Sequence, residues 1–250
     1  MSVTIKTARE VELMREAGRI LAQVHDELGK IVRPGISTYE IDKEGEKLIR
    51  SFGCEPSFLN YNGYPASICV SVNEEVVHGI PSHKRILKDG DIVSLDAGVI
   101  YKGYHSDAAR THAVGNISPK AAKLIEVTKH SFFEGIKFAK PGNHLHQISG
   151  AIDAYVSGFG YGIVRSLVGH GIGRNLHEDP QIPNFAQKSK GIRLVPGMTL
   201  AVEPMVNMGT YNVCWLDDDW TVVSADGSLS AHYENTILIT EDGCEILSLI

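Results

Sequence analysis

The chain has 250 residues, 43% of them hydrophobic and 22% charged, and a net charge of −6, which is ordinary for a globular protein and supplies no basic field for binding nucleic acid. The N-terminus lacks the apolar segment of a secretory signal, and no apolar run reaches the roughly 18 residues of a membrane span. The four cysteines form no CxxC pair, so we expect free thiols, a cytoplasmic location and no membrane partner.

Two capping boxes predict two helices near the N-terminus. Thr7 and Glu10 begin the first helix, and Ser37 and Glu40 begin the second, which runs to about Gly53. The first helix has an apolar face formed by Val11, Met14, Leu21, Val24 and Leu28.

Residues 93–111 alternate apolar and polar side chains and reverse direction near Lys102, which predicts a β-hairpin. If the turn is centred between Tyr101 and Lys102, Asp96 and Asp107 lie directly opposite each other, roughly 5 Å apart. Like charges at that distance destabilise a sheet, so a cation is expected between them. A solvated edge, with both aspartates facing water, is the alternative that the hairpin alone leaves open.

The second half of the chain predicts two more helices. Ser118 and Pro119 provide an N-cap and a first helical residue for a helix that ends at Pro141, and another helix covers about residues 144–157. Residues 67–72 and the region after residue 160 are expected to form strands and loops.

An internal repeat relates the two halves of the chain. A shift of 107 residues places residues 31–53 over residues 138–160, and it places Asp96 over Glu203. We therefore predict a single domain, residues 1–250, made of two similar halves at roughly 1–115 and 116–250. A ligand site is expected between the halves, because sites favour such interfaces.

Five side chains in apolar or glycine-rich surroundings are the candidates for a metal site: Asp96, Asp107, His170, Glu203 and Glu234. Buried carboxylates need partners, and four of them carry a charge of about −4, which two divalent cations would balance. The mixed oxygen and nitrogen ligands favour Mn, Fe, Co or Zn over Ca. Two such metals can share a water, lower its pKa and direct it at a carbonyl, which is hydrolase chemistry.

His78 and His177 remain outside this ligand set and could contact the scissile group or its oxyanion. A lone histidine in a glycine-rich loop is more often structural than catalytic. A structural role is therefore assigned to seven other histidines: His25, His83, His105, His112, His130, His144 and His146.

Motifs spread over nearly the whole chain closely resemble those of the type I methionine aminopeptidases. They are NGYPASICVSVNEEVVHGIP, SLDAGVIYKGYHSDAART, GHGIGRNLHEDP, LAVEP and HYENTILIT. The resemblance implies an α+β pita-bread fold, with two pseudo-symmetric halves and a curved, mostly antiparallel sheet covered by helices. The fold is shared with prolidase, aminopeptidase P and creatinase. The chain begins directly with the catalytic core and so resembles the short bacterial form.

The resemblance also implies roles for particular residues. By the resemblance, the five ligands of a dinuclear metal centre correspond to Asp96, Asp107, His170, Glu203 and Glu234, with Asp107 and Glu234 bridging the two metals. It gives Glu203 a proton-transfer role and makes His78 and His177 the two site histidines. The methionine pocket falls on Tyr61, Tyr64, Cys69 and Trp220.

The implied activity is removal of the initiator methionine from nascent proteins whose second residue is small. The expected partners are nascent N-termini, with the ribosome near its exit tunnel as a further candidate, and the chain is expected to be a monomer. Four residues depart from the pattern of well-known bacterial members and bear on pocket shape and rate: Phe58, Leu167, Leu176 and His232, the last in place of Gln.

Two other functions remain open at the level of sequence. A proline-directed dipeptidase or aminopeptidase P usually carries an additional N-terminal domain, whereas only about 90 residues precede Asp96 here. A metal-free binding protein on the same fold would have lost ligands, and all five are present. Activity on Met-Ala-Ser against Ala-Pro, together with a metal assay, separates these possibilities.

Overall fold

The computed structural model describes residues 3–249. This part of the chain has four α-helices: α1 (Ala8–Ile31), α2 (Thr38–Ser51), α3 (Pro119–Ile136) and α4 (Leu145–Ser157). A short 3-10 helix covers Tyr61–Gly63. The strands are β1 (Glu55–Pro56), β2 (Ile68–Val72), β3 (Glu75–Val77), β4 (Ile92–Tyr101), β5 (Tyr104–Ala113), β6 (Gly162–Ile163), β7 (Gly169–Gly171), β8 (Glu178–Ile182), β9 (Thr199–Val202), β10 (Met205–Asn207), β11 (Val213–Trp215), β12 (Val222–Ser224), β13 (Ser230–His232), β14 (Glu234–Ile239) and β15 (Cys244–Ile246).

The capping boxes predicted for α1 and α2 are confirmed. The Thr7 N–H donates to Glu10 Oε2 at 2.8 Å, and the Thr7 side chain accepts from the Glu10 N–H. Ser37 and Glu40 make the same reciprocal bonds at the start of α2. These bonds satisfy backbone donors that would otherwise have no partner in the first turn, which fixes where each helix begins.

The predicted end of α3 was wrong by several residues, because the helix ends at Ile136 rather than at Pro141. Phe138 and Ala139, just beyond this end, form tighter turns: the Phe138 N–H donates to Gly135 O and the Ala139 N–H to Ile136 O, both at 3.0 Å. Such i to i−3 bonds commonly finish an α-helix.

A nine-stranded sheet forms the centre of the fold. Its strand order is β1-β4-β5-β14-β9-β7-β8, with β2 added to β4 and β15 to β14, and its pairings are antiparallel. Two three-stranded sheets, β13-β10-β6 and β11-β12-β3, accompany it. The α+β class with a curved, mostly antiparallel sheet is therefore confirmed.

The register predicted for the hairpin was wrong by two residues. Its turn consists of Lys102 and Gly103, both with positive φ (48° and 82°), as a two-residue type I′ turn requires. The centre lies one residue further along than assumed, so Asp107 pairs with Gly98 and not with Asp96. A shift of two residues keeps both aspartates on one face as diagonal neighbours.

The two halves repeat each other's contacts, as the 107-residue shift predicts. In each half, a glycine with positive φ precedes the second helix, and its N–H donates to an extended segment that follows this helix. The equivalent pairs are the bridges Ser37–Ile86 and His144–Arg193, and the hydrogen bonds Gly35 N to Leu87 O (2.8 Å) and Gly142 N to Leu194 O (2.9 Å). The two pseudo-symmetric halves are confirmed, while the assignment of residues 1–250 to one catalytic domain stays a prediction.

Each half has its own pair of covering helices and its own apolar core. Helices α1 and α2 pack on β2, β4 and β5, around a core that includes Leu21, Ile41 and Leu95. Helices α3 and α4 pack on each other and on β6 and β13, around Phe132 and Ile148. Among the described helices, none is long and apolar enough to cross a membrane.

Candidate metal centre and substrate cavity

A cavity of about 270 Å³ lies between the two halves. Its wall includes side chains from the first half, among them Asp96, and from the second half, among them Glu203. Every residue that the sequence assigned to the site lines it: Tyr61, Tyr64, Cys69, His78, Asp96, Asp107, His170, His177, Glu203, Trp220 and Glu234.

Five neighbouring strands each provide one of the five candidate ligands. The strand order β4-β5-β14-β9-β7 carries, in the same order, Asp96, Asp107, Glu234, Glu203 and His170, with Glu203 directly after the end of β9. Because neighbouring strands lie about 4.8 Å apart, this arrangement brings residues distant in sequence within reach of common ions.

The carboxylates lie close together, and three of the four have a buried oxygen without a hydrogen-bond partner among the described residues. Asp96 Oδ1, Asp107 Oδ1 and Glu234 Oε1 have no hydrogen-bond partner among the described residues. Burial raises the pKa of Asp96 to about 7. The pKa values of Asp107, Glu203 and Glu234 are raised well above their usual range, mainly by burial and secondly by the negative charge of the neighbouring acids. Unpartnered buried oxygens with like charges fit a site for cations.

His170 is held in the tautomer that a metal ligand needs. Its Nδ1 donates to the Gly171 carbonyl at 2.9 Å, which leaves the Nε2 lone pair free. That Nε2 lies 3.5 Å from Glu203 Oε1 and 3.9 Å from Asp107 Oδ2. Burial lowers the pKa of His170 to about 3, so the ring is neutral. A backbone carbonyl that fixes the remote nitrogen is a common second partner of ligating histidines.

The two other site histidines lie on the same cavity. The Tyr61 hydroxyl is 2.8 Å from His177 Nδ1, and the His177 and His170 ring centroids are 4.2 Å apart. His78 has a φ of 60°, uncommon for a residue with a side chain, and such conformations concentrate at functional sites. Burial lowers the pKa values of both His78, to about 4, and His177.

Aromatic and sulfur-containing side chains form the apolar wall. Tyr64 packs edge-on against Trp220 at 5.1 Å and donates its hydroxyl hydrogen to the Gly79 carbonyl at 2.9 Å. Cys69 lies on β2 directly opposite Asp96, and burial raises the pKa of its thiol. Phe58, Leu167 and Leu176, which depart from the pattern of the bacterial family members, also line the cavity.

Several residues near the site had no predicted role. Asn62, Val77, Val168 and Met205 line the cavity, and each lies within or beside one of the sequence motifs, which is the signal that could identify it. The sequence marks His232 only as a departure from the family pattern, yet its Nε2 lies 3.8 Å from Glu234 Oε2.

Arg110 is a further residue without a predicted role. Its guanidinium donates to the backbone carbonyls of Glu234 and Ser248, the latter at 3.0 Å, and to Asn235 Oδ1 at 2.6 Å. It also lies over the Tyr233 ring, at 4.6 Å from the centroid. Arg110 thereby fixes the backbone at the start of β14, where Glu234 lies.

Comparisons with known proteins show the family to which the chain belongs. Residues 12–241 match the model of metallopeptidase family M24. Methionine aminopeptidase 1 of Bacillus subtilis is 54% identical over 248 residues, which cover 99% of this chain and 100% of the relative. The crystal structure of a methionine aminopeptidase from Thermotoga maritima superposes with a TM-score of 0.97 at 43% identity, covering 100% of both chains.

A more distant solved structure shares the fold. An Xaa-Pro dipeptidase from Bacillus anthracis superposes with a TM-score of 0.79 at 29% identity, covering 98% of this chain but 61% of the dipeptidase. The pita-bread fold expected from the motifs is confirmed by these neighbours.

Proposed function

Because the chain belongs to metallopeptidase family M24 and, within it, to the methionine aminopeptidases, we propose that it removes N-terminal methionine from peptides and nascent proteins whose second residue is small. The observation that carries the proposal is the set of four carboxylates and one imidazole that five neighbouring strands place on the wall of one cavity. The name shared by the full-length relatives supplies the substrate class.

Two divalent cations, of Co, Mn, Fe or Zn, fit this donor set. Asp96, Asp107, Glu203 and Glu234 would contribute about four negative charges, and His170 a neutral nitrogen, which two dications balance. When bound, such ions would polarise the scissile carbonyl and lower the pKa of the attacking water.

We assign the proton transfer to Glu203. Its side chain keeps 13% of its surface exposed, against 6% for Asp107 and 3% for Glu234, so it faces the cavity more openly than either of these two. The backbone carbonyl of Glu203 accepts from Asn184 Nδ2 at 3.0 Å, which fixes its position. In the proposed reaction Glu203 takes a proton from the attacking water and delivers it to the leaving amine.

His78 and His177 orient the substrate and stabilise the oxyanion. The contact between Tyr61 and His177 Nδ1 lets the hydroxyl donate to that nitrogen, so that Nε2 carries the proton and can donate it. A hydrogen bond donated to the developing oxyanion contributes mainly in the transition state.

The methionine side chain would occupy the apolar wall. Tyr64, Cys69 and Trp220 give it polarisable and aromatic contacts, which favour a thioether. Phe58 and Leu176 line the same space. The resulting slot suits an unbranched apolar side chain.

The proposed setting of the reaction follows from its substrate. Nascent polypeptide N-termini in the cytoplasm, emerging from the ribosome, would present the methionine to a monomeric enzyme. No direct nucleic-acid or membrane contact is part of the proposal.

The test is hydrolysis of Met-Ala-Ser against Ala-Pro and Gly-Pro by the metal-stripped protein during titration with Co(II) or Mn(II). We expect cleavage of Met-Ala-Ser alone, rising until two ions are bound per chain. Cleavage of the proline dipeptides in preference to Met-Ala-Ser would assign the chain to prolidase chemistry instead. Absence of metal binding would favour a binding protein.

A further inference from the structure

The imidazole of His232 is deeply buried. Only 2% of the residue is exposed, and neither Nδ1 nor Nε2 has a partner among the described residues. Leaving a buried polar group unpaired is costly, so its presence beside the candidate metal centre requires an explanation.

The geometry around Glu234 provides one. Two sets of three residues each bring their possible ligand atoms within 4.8 Å of one another. The first set is Asp107, His170 and Glu234, and the second is Asp96, His232 and Glu234. The sets share Glu234, and each has one aspartate and one imidazole. The two sets thus describe two adjacent positions for cations.

We propose that His232 is a sixth metal ligand, binding the ion held by Asp96 and Glu234, so that each of the two ions has its own imidazole. This inference rests on the proposed function, because it assumes the dinuclear centre. It assigns a role to a position where the family pattern has Gln.

The distances favour coordination over a direct hydrogen bond. His232 Nε2 lies 3.8 Å from Glu234 Oε2, beyond the range of an N–H···O bond. Ligand atoms at about 2.0–2.2 Å from a common ion lie about 3–4 Å from each other, which includes this separation.

The backbone of His232 is fixed in place for this role. Its N–H donates to Thr111 Oγ1, and the Thr111 hydroxyl is also 2.9 Å from the His232 carbonyl oxygen. On its other side, β13 pairs with β10, where His232 is opposite Met205 of the cavity wall. His232 is therefore in a strand, β13, whose backbone is held on one side by Thr111 of β5 and on the other by β10.

The test counts imidazole ligands directly. Metal-stripped wild-type protein is titrated with Co(II) by calorimetry, and proton NMR of the loaded protein records the hyperfine-shifted signals of bound imidazoles. We expect two ions per chain and two imidazole sets. In His232→Gln, one set should vanish and the affinity for one ion should fall at least 10-fold, since even outer partners of a metal site contribute about 10–100-fold.

His112→Gln is the matched control, because His112 also has a ring nitrogen, Nε2, without a hydrogen-bond partner among the described residues but belongs to neither set of possible metal ligands. It should retain both signal sets and both affinities. The wild-type spectrum decides the matter even if His232→Gln fails to fold.

Each remaining outcome discriminates. Two ions with a single imidazole set in wild type would overturn the role of His232 while leaving the proposed function intact. Binding of a third ion that is lost in His232→Gln would also overturn this role, because His232 would then belong to a separate metal site. Failure of wild type to bind Co(II) would overturn the dinuclear function itself.

Discussion

At the scale of single residues, the site depends on hydrogen bonds that select a tautomer. The Gly171 carbonyl holds the Nδ1 proton of His170, and the Tyr61 hydroxyl contacts Nδ1 of His177. The two rings, 4.2 Å apart, would therefore perform opposite tasks, with His170 offering a lone pair and His177 a proton.

Tyr61→Phe tests the positioning of His177. Removing one neutral hydrogen bond costs about 0.5–1.5 kcal/mol, so kcat should fall up to about tenfold with little change in KM. His177→Ala should lower kcat by roughly 10²–10³-fold, the scale for losing an oxyanion donor, with metal content unchanged. In the His177→Ala background, Tyr61→Phe should have no further effect. Additive losses in the double variant would show that Tyr61 does not act through His177.

Leu176→Phe tests the methionine pocket. Leu176 is buried in the cavity wall, and a larger aromatic side chain there should fit a thioether better than a branched alkyl group. The ratio of kcat/KM for Met- over Leu-initiated tripeptides should rise about fivefold to tenfold, corresponding to about 1 kcal/mol. Leu216→Phe, at an exposed position outside the cavity wall, should leave the ratio unchanged. A wild-type protein that cleaves both peptides equally would contradict the pocket assignment.

At the scale of elements, hydrogen bonds between helices and strands set the shape of the site. Asp42 in α2 is buried, and its Oδ1 accepts from the Ser67 and Ile68 N–H groups at 2.8 and 3.0 Å. These bonds hold the start of β2, where Cys69 pairs with Asp96. A helix carboxylate therefore fixes the strand next to the metal centre.

Asp42→Ala should lower the free energy of unfolding by about 2–6 kcal/mol, since two buried N–H groups lose their acceptor at about 1–3 kcal/mol each. Urea unfolding at pH 7, with an unchanged m-value, measures the loss. Asp26→Ala, at an exposed position of α1, is the control and should change stability by less than about 0.5 kcal/mol. A loss below about 1 kcal/mol in Asp42→Ala would mean that these bonds do not hold β2.

The elements that local chemistry specifies were predictable from the sequence. Capping boxes located the starts of α1 and α2, and the apolar stripe of α1 is buried as expected. The hairpin was identified but not its register, because the alternation of side chains is the same for turns centred one residue apart. Only the positive φ values of Lys102 and Gly103 fix the turn as a two-residue loop.

At the scale of the whole molecule, the repeat accounts for the position of the cavity. Asp96 and Glu203 are equivalent under the 107-residue shift, so each half contributes a carboxylate at the same strand position. The motifs supplied the candidate ligands, but the order of strands in the sheet could not be read from periodicity. His232 and Arg110 were missed as site residues for that reason, since their importance arises only when β5, β13 and β14 come together.

Because several buried acids lie close together, the stability of the metal-free protein depends on pH. Burial raises the pKa of Asp96 from 3.8 to about 7, so the folded protein holds this proton more tightly than the unfolded chain. The associated stability is fully present below pH 3.8 and is lost as pH rises through 7. Asp107, Glu203 and Glu234 shift in the same direction. Cations bind only the ionised carboxylates and so reverse this trend.

We therefore predict that the difference in Tm between Co(II)-loaded and EDTA-treated protein grows from pH 5 to pH 7.5. With free metal at about 100 times Kd, one ion stabilises by about 2.7 kcal/mol, which raises Tm by roughly 5–11 °C in a domain of this size. Asp96→Asn should flatten the pH dependence of the EDTA-treated protein, whereas Asp217→Asn, at an exposed turn, should not. A Tm difference that stays constant across this pH range would show that the buried carboxylates are not where the cations bind.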